Sequence, residues 1–160
     1  MTQAPATTST PASLLSVRDL AIEFTTDDGC FPAVRGVSFD LEAGKCMGLV
    51  GESGSGKSVT AMALLGLIPQ PPGRVTSGSV TFDGRDLIKL APKDLRALRG
   101  GDIAMIFQEP MSSLNPAFTI GNQIAEAIRA HQDMSPRAAL DRAIELLREV
   151  RMPAPERRVH

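Results

Sequence analysis

The segment Gly51-Glu52-Ser53-Gly54-Ser55-Gly56-Lys57-Ser58 decides how this chain is interpreted. It matches the pattern G-x-x-x-x-G-K-[ST], which forms a loop that binds phosphate groups. The glycines let the backbone turn tightly, so that successive N–H groups can face an anion. Lys57 can reach the outer phosphates of a nucleotide, and the Ser58 hydroxyl can hold Mg²⁺. The segment therefore predicts a nucleotide phosphate site.

Apolar segments flank the loop on both sides. Residues 46–50 form a short apolar run that predicts a strand, and residues 57–68 predict a helix that ends before Pro69. This helix is apolar nearly all round, so we expect it to be packed on both sides. A flexible Gly/Ser linker is the alternative, but a linker would not lie between two apolar segments.

The composition narrows the class of protein. The chain has 160 residues, with 17 basic against 18 acidic side chains, six Phe and neither Trp nor Tyr. This is enough for one domain with a core, and the near-neutral charge argues against nucleic acid as a partner.

Cys30 and Cys46 form no C-x-x-C pair, so we expect a reducing compartment. Residues 1–13 read as a disordered tail, and no apolar run approaches the roughly 18 residues that span a membrane.

On the N-terminal side of the loop, the sequence predicts a β-hairpin. Residues 14–26 alternate in part and predict a strand with a bulge at Arg18-Asp19. Asp27-Asp28-Gly29 is a hairpin turn signal, and residues 33–41 predict the second strand.

Toward the C-terminus, strands give way to helices. Residues 79–88 predict a small hairpin that returns to the first sheet, and residues 92–98 predict a short helix. Residues 103–107 are continuously apolar, which is typical of a buried parallel strand. Helices are expected over 120–130 and from Ser135-Pro136 onward. Strands and helices do not alternate as they would in a doubly wound nucleotide kinase.

Gln108 lies just after the apolar run at 103–107. Ligand-facing groups gather where the strands of an open α/β sheet end. A neutral amide there can offer its oxygen to Mg²⁺ or to an attacking water. A loop glutamine on a solvated turn is the alternative.

The residues around Gln108 carry a family resemblance. Residues 107–116 (FQEPMSSLNP) and 120–124 (IGNQI) resemble the Q-loop region of ATP-binding cassette (ABC) importer ATPases, in particular the dipeptide/oligopeptide/glutathione group. The segments VGESGSGKSVTA and AVRGVSFDLEAGK are similar to the same group. The resemblance covers residues 14–160.

The resemblance implies a fold and a domain organisation. The fold is α/β, a P-loop NTPase (RecA-like) core with an N-terminal antiparallel β-subdomain and the start of a helical subdomain. Residues 14–108 would form the β-subdomain and P-loop core of a partial nucleotide-binding domain. Residues 109–160 would form the Q-loop and the start of the helical subdomain.

The resemblance also implies site residues for ATP and Mg²⁺. Phe24 matches the aromatic residue that stacks on adenine, with a core phenylalanine as the alternative. Lys57 and Gln108 would be catalytic, and Ser58 and Gln108 would hold the metal. The implied nucleotide-binding residues are Phe24, Gly51, Glu52, Ser53, Gly54, Ser55, Gly56, Lys57, Ser58 and Val59.

The implied function is ATP-driven import of peptides or similar small solutes. The implied partners are transmembrane permease subunits, a second ATP-binding cassette in a homo- or heterodimer and, indirectly, an extracytoplasmic solute-binding protein. The implied location is peripheral, on the cytoplasmic face of the cell membrane.

The chain departs from the family by ending before several of the family's motifs. We find no apolar strand ending in Asp-Glu, no LSGGQ-like signature and no switch histidine, so the sequence resembles the N-terminal part of a longer cassette. We expect the 160 residues alone to bind ATP weakly if at all and not to hydrolyse it. A truncated non-catalytic remnant, another P-loop protein such as a kinase or GTPase, and a cassette acting on DNA are the alternatives. No N-K-x-D guanine motif supports the GTPase.

Overall fold

The structure is a computed structural model that describes residues 13–109 and 114–160. The chain divides into two compact units, Met1–Arg96 and Ala97–His160. The predicted tail, apart from Ser13, lies outside the described residues.

The first unit is built on a β-hairpin. Strand β1 spans Ser13–Thr26 and pairs antiparallel with strand β2, Gly29–Glu42. The turn falls at residues 27–28, as the Asp-Asp-Gly signal predicted. The predicted bulge is also confirmed: the register shifts between Val17 and Leu20, and Asp19 has a φ of 46°.

A second hairpin completes this sheet. Strand β3, Gly73–Phe82, pairs antiparallel with β1, and the short strand β4, Arg85–Asp86, pairs with β3. The strand order is β2-β1-β3-β4, so the predicted return to the first sheet is confirmed. The sheet contributes apolar side chains from three strands to the core, all at most 4% exposed: Val17, Leu20, Ile22, Val34 and Val80.

Helix α1 comes after the glycine-rich loop and is shorter than predicted. It spans Lys57–Leu64 rather than 57–68. Gly66 takes a φ of 59°, and the N–H of Leu67 donates to the carbonyl of Met62 at 2.8 Å. This left-handed glycine ends the helix before Pro69 is reached. The prediction of a helix buried on both sides was also wrong, because within α1 only Thr60 and Ala63 are buried.

Helix α2, Pro92–Leu98, has the bounds that the sequence predicted. The second unit contains helices α3 (Ile120–His131), α4 (Pro136–Glu149) and α5 (Pro155–Arg158). Ser135 caps α4, since its side chain accepts from the N–H of Ala138 at 3.2 Å. The short helix α5 was not predicted.

Two predicted strands are absent from the described structure. Residues 46–50 form no strand, and Val50 is 91% exposed. Residues 103–107 contain only an isolated bridge from Ile103 to Arg99, and Ile106 is 95% exposed. An apolar run supplies side chains for a buried strand, but it becomes a strand only when neighbouring strands pair with its backbone.

Candidate functional site

The loop at 51–56 leads directly into α1. Gly54 and Gly56 have φ values of 79° and 89°, which favour glycine over any other residue. Gly56 is the N-cap of α1, and no side chain caps the helix. The first N–H groups of a helix have no acceptor within the helix and carry its positive end. The loop and helix start therefore present amide donors suited to an anion.

Gly56 also lies close to β2. A Cβ built on Gly56 would overlap the carbonyl oxygen of Ala33 and would contact Val34 at 3.3 Å. Thr60 fixes the other side of the junction, because its Oγ1 donates to the carbonyl of Gly56 at 2.9 Å. Thr60 is 3% exposed and was not singled out in the sequence. The loop is thus held between a strand and the first turn of the helix.

The Lys57 side chain folds back over the loop. Its Nζ donates to the carbonyl oxygens of Gly51 at 2.8 Å and Glu52 at 2.6 Å, and to Ser55 Oγ at 3.2 Å. The ammonium group is therefore held by oxygen atoms of the loop itself, and it places a full positive charge beside the loop.

A pocket of about 320 Å³ adjoins the loop. Its size falls at the lower end of the range for small-molecule sites, roughly 300–1,000 Å³. Three sequence segments line it, and one side is polar while the other is aromatic. The lining residues are Phe24, Thr26, Phe31, Ala33, Gly54, Ser55, Gly56, Lys57, Ser58 and Val59.

Phe24 lies at the aromatic side of this pocket. It is half-buried on β1, opposite Gly73 of β3 in the strand register. A Cβ on Gly73 would come within 2.9 Å of Phe24 Cε1, so the ring packs over this glycine. The structure therefore brings Phe24 and residues 54–59 of the predicted site to one pocket, as the sequence-based assignment requires.

Phe31 was missed by the sequence analysis. It pairs with Phe24 across the β1–β2 ladder, lines the same pocket and is 58% exposed. The turn signal contained the information: a turn at residues 27–28 opposes Thr26 to Gly29, and counting outward opposes Phe24 to Phe31.

The predicted metal-binding residues lie in different units. Ser58 is exposed and lines the pocket, whereas Gln108 is an exposed residue of the second unit. Within residues 13–109 and 114–160, no cluster of three or more His, Cys, Asp or Glu could hold a metal ion. In the G-x-x-x-x-G-K-[ST] motif the hydroxyl after the lysine contacts the Mg²⁺ that accompanies the phosphates, so Ser58 fits that ion. Part of the predicted Q-loop motif, residues 110–113, lies outside the described residues.

Surface ion pairs shift pKa values elsewhere in the first unit. Hydrogen bonds from Arg18, at 2.6 and 2.8 Å, lower the pKa of the Asp40 carboxyl. A contact with Lys89 at 2.8 Å lowers the pKa of Asp86 in the same way. Neither acidic residue lines the pocket around Lys57.

Comparison with known protein families identifies the chain. The model of the ABC transporter family matches residues 34–160, which include the glycine-rich loop and α1. This chain belongs to the ABC transporter family. Membership implies nucleotide binding, and the phosphate-binding loop described above lies within the matched region.

Curated relatives in this family are similar over most of the chain. The oligopeptide transport ATP-binding protein OppD of Bacillus subtilis is 50% identical, over 92% of this chain and 41% of that protein. The dipeptide transport ATP-binding protein DppD of the same organism is 47% identical, over 91% of this chain and 44% of that protein. The chain spans less than half the length of these two relatives.

Solved ABC structures share the fold. The dimeric ABC transporter cassette MJ0796 is 22% identical and superposes with a TM-score of 0.74, over 91% of this chain and 60% of that chain. The same cassette bound to ADP and Pi gives a TM-score of 0.73 at 20% identity, over 91% of this chain and 60% of that chain. The P-loop fold class is therefore confirmed. No helix in the described parts of the chain is long and apolar enough to cross a bilayer.

Proposed function

We propose that this chain is part of an ATP-binding subunit of an ABC transporter that couples ATP binding and hydrolysis to the import of peptides or similar small solutes. The pocket that joins Lys57 and the loop amides to Phe24 carries the ATP-binding part of this proposal. The peptide part is supported by relatives whose names refer to oligopeptide and dipeptide transport.

The loop would act on the phosphates by position and charge. Phosphoryl transfer is promoted mainly by alignment of the reacting groups and neutralisation of charge on the phosphate oxygens. Lys57 would exchange its contacts with Gly51 and Glu52 for contacts with the outer phosphates. The amides at the start of α1 would hold the same phosphates, since they have no partner within the helix.

Ser58 and Gln108 would take part through the metal and the attacking water. A bound Mg²⁺ supplies charge neutralisation at the phosphates. The Ser58 hydroxyl is exposed in the pocket and would be its protein ligand at the loop. For Gln108, which belongs to the second unit, the family resemblance implies a role toward Mg²⁺ or the attacking water, and its amide oxygen is chemically suited to either.

The wider assembly is inferred from the family. We propose residues 14–108 as the β-subdomain and P-loop core of a nucleotide-binding domain, and residues 109–160 as its Q-loop and the start of its helical subdomain. Permease subunits at the cytoplasmic face of the membrane and a second cassette would be its direct partners. The dimeric MJ0796 cassette supports the second of these.

A variant pair tests the proposal. Lys57→Ala removes the cation held over the loop, whereas Lys89→Ala removes a lysine whose side chain is 82% exposed and pairs with Asp86 outside the pocket. Saturation-transfer NMR with ATP and Mg²⁺ gives dissociation constants even when binding is weak. We expect Lys57→Ala to abolish measurable binding and Lys89→Ala to leave it unchanged. Equal binding by both variants would contradict a phosphate site at the loop.

A further inference from the structure

Phe31 is a large apolar side chain that packing does not account for. It is 58% exposed on β2, although the sheet has a well-buried core of Val17, Leu20 and Ile22. An exposed phenyl ring gains little from burial, so its contribution to folding is small. The same ring lines the pocket that contains Lys57.

Phe31 and Phe24 form the apolar side of this pocket. They oppose each other in the antiparallel ladder, where side chains of opposing residues lie on the same face with Cβ atoms about 4.5–5.5 Å apart. Gly73 lies beneath Phe24, so that ring is fixed from behind, whereas Phe31 is free on its exposed side.

The pocket is thus polar at one end and aromatic at the other. Gly54 to Ser58 supply amides, hydroxyls and an ammonium group, and the two phenyl rings supply faces without hydrogen-bonding groups. A nucleotide has the same division, because its phosphates are charged and its base is a flat ring that stacks on aromatic side chains.

We propose that Phe31 contacts the nucleobase and forms, together with Phe24, an aromatic surface against which the base stacks. This inference rests on the proposed function, since it requires the phosphates to lie at the loop. Phenyl rings recognise the area of a base rather than its hydrogen-bonding edge, so Phe31 adds affinity for the base and none for the phosphates.

Two ligands distinguish binding energy contributed by the base from binding energy contributed by the phosphates. ATP and inorganic tripolyphosphate, each with Mg²⁺, are titrated into the ¹⁵N-labelled chain, and dissociation constants are read from the amide shifts of Gly56 and Ser58. We expect Phe31→Ala to weaken ATP binding at least about fivefold and to leave tripolyphosphate binding unchanged. Phe118→Ala removes a ring of similar exposure, 60%, from the second unit and is expected to change neither.

A second variant guards against an effect on folding. Phe31→Leu keeps an apolar side chain that suits a strand, so it is expected to fold like the native chain and still to bind ATP more weakly. Unchanged ATP affinity in both Phe31 variants would overturn the inference while leaving the phosphate site intact. Equal losses for ATP and tripolyphosphate would also overturn it, because they would show a general effect on the loop. If the native chain bound neither ligand, this result would contradict the proposed nucleotide site itself, on which the role of Phe31 rests.

Discussion

The backbone of Gly56 lies against the carbonyl oxygen of Ala33, too close for any side chain to stand between them. This contact joins the phosphate-binding loop to β2 at the point where α1 begins. Because Phe31 lies two residues earlier on the same strand, the contact also sets the distance between the aromatic and polar ends of the pocket.

A side chain at residue 56 should therefore damage both stability and binding. Gly56→Ala places a Cβ in a left-handed conformation and against Ala33. Gly44→Ala is the matched control, since Gly44 has a φ of 72° and no atom within 4 Å of the added Cβ. We expect the control to lose about 1 kcal/mol from backbone strain and Gly56→Ala to lose clearly more. Urea unfolding measures both, and equal losses would show that the contact with Ala33 is unimportant.

The Arg18–Asp40 pair predicts a small pH dependence of stability. Arg18 lowers the pKa of Asp40, so the pair stabilises the fold above the ordinary pKa of an aspartate, about 3.9, and this contribution is lost as the pH falls through the lowered pKa. Arg18→Gln should raise the pKa of Asp40 toward its ordinary value, measured by carboxyl NMR titration. The effect on stability should be slight because both side chains are exposed.

Lys89→Gln is the control for this titration. It should raise the pKa of Asp86 and leave that of Asp40 unchanged. An Asp40 carboxyl that titrates identically with and without the guanidinium of Arg18 would refute the assignment.

Gln123 holds the segment before α3 through its side-chain amide. Its Nε2 donates to the carbonyls of Asn115 and Phe118 at 2.9 and 3.0 Å, and its Oε1 accepts from the N–H of Asn115 at 2.9 Å. Gln123→Glu keeps the shape but loses both donors, so we expect a local loss of about 1 kcal/mol. Faster amide hydrogen exchange at Asn115 would report it. Gln132→Glu, just after α3, is the control, and equal exchange in both variants would contradict this role.

ATP turnover is expected to be absent from the 160-residue chain. The family resemblance implies that hydrolysis uses an Asp-Glu pair after an apolar strand, and residues 1–160 contain no such motif. A steady-state phosphate-release assay should show no rate above that of Lys57→Ala. Turnover that Lys57→Ala abolishes would contradict the expectation.

The elements that were predicted correctly are marked by short sequence signals within the element or next to it. The turn at residues 27–28, the proline that opens α2 and the Ser135 cap of α4 are local features, so each could be recognised without knowing the fold. The end of α1 was misplaced because Gly66 acts through a left-handed conformation that a count of apolar residues does not reveal.

The two incorrect strand predictions concern pairing between segments that are distant in the sequence. Residues 46–50 have strand-like side chains, but a ladder needs a neighbour that the segment itself does not specify. Phe24 and the loop could be predicted from motif and resemblance. Phe31 was missed because no motif marks it: its place in the site follows from the register between β1 and β2, which the turn at residues 27–28 sets.

The most direct test of a nucleotide phosphate site at the loop is to map which backbone amides shift when ATP is added. In ¹H–¹⁵N spectra of the chain titrated with ATP and Mg²⁺, we expect the largest shifts at the amides of Gly54, Gly56 and Ser58, and their loss in Lys57→Ala. Shifts confined to α3 and α4, or shifts at the loop that persist without Lys57, would contradict a phosphate site there.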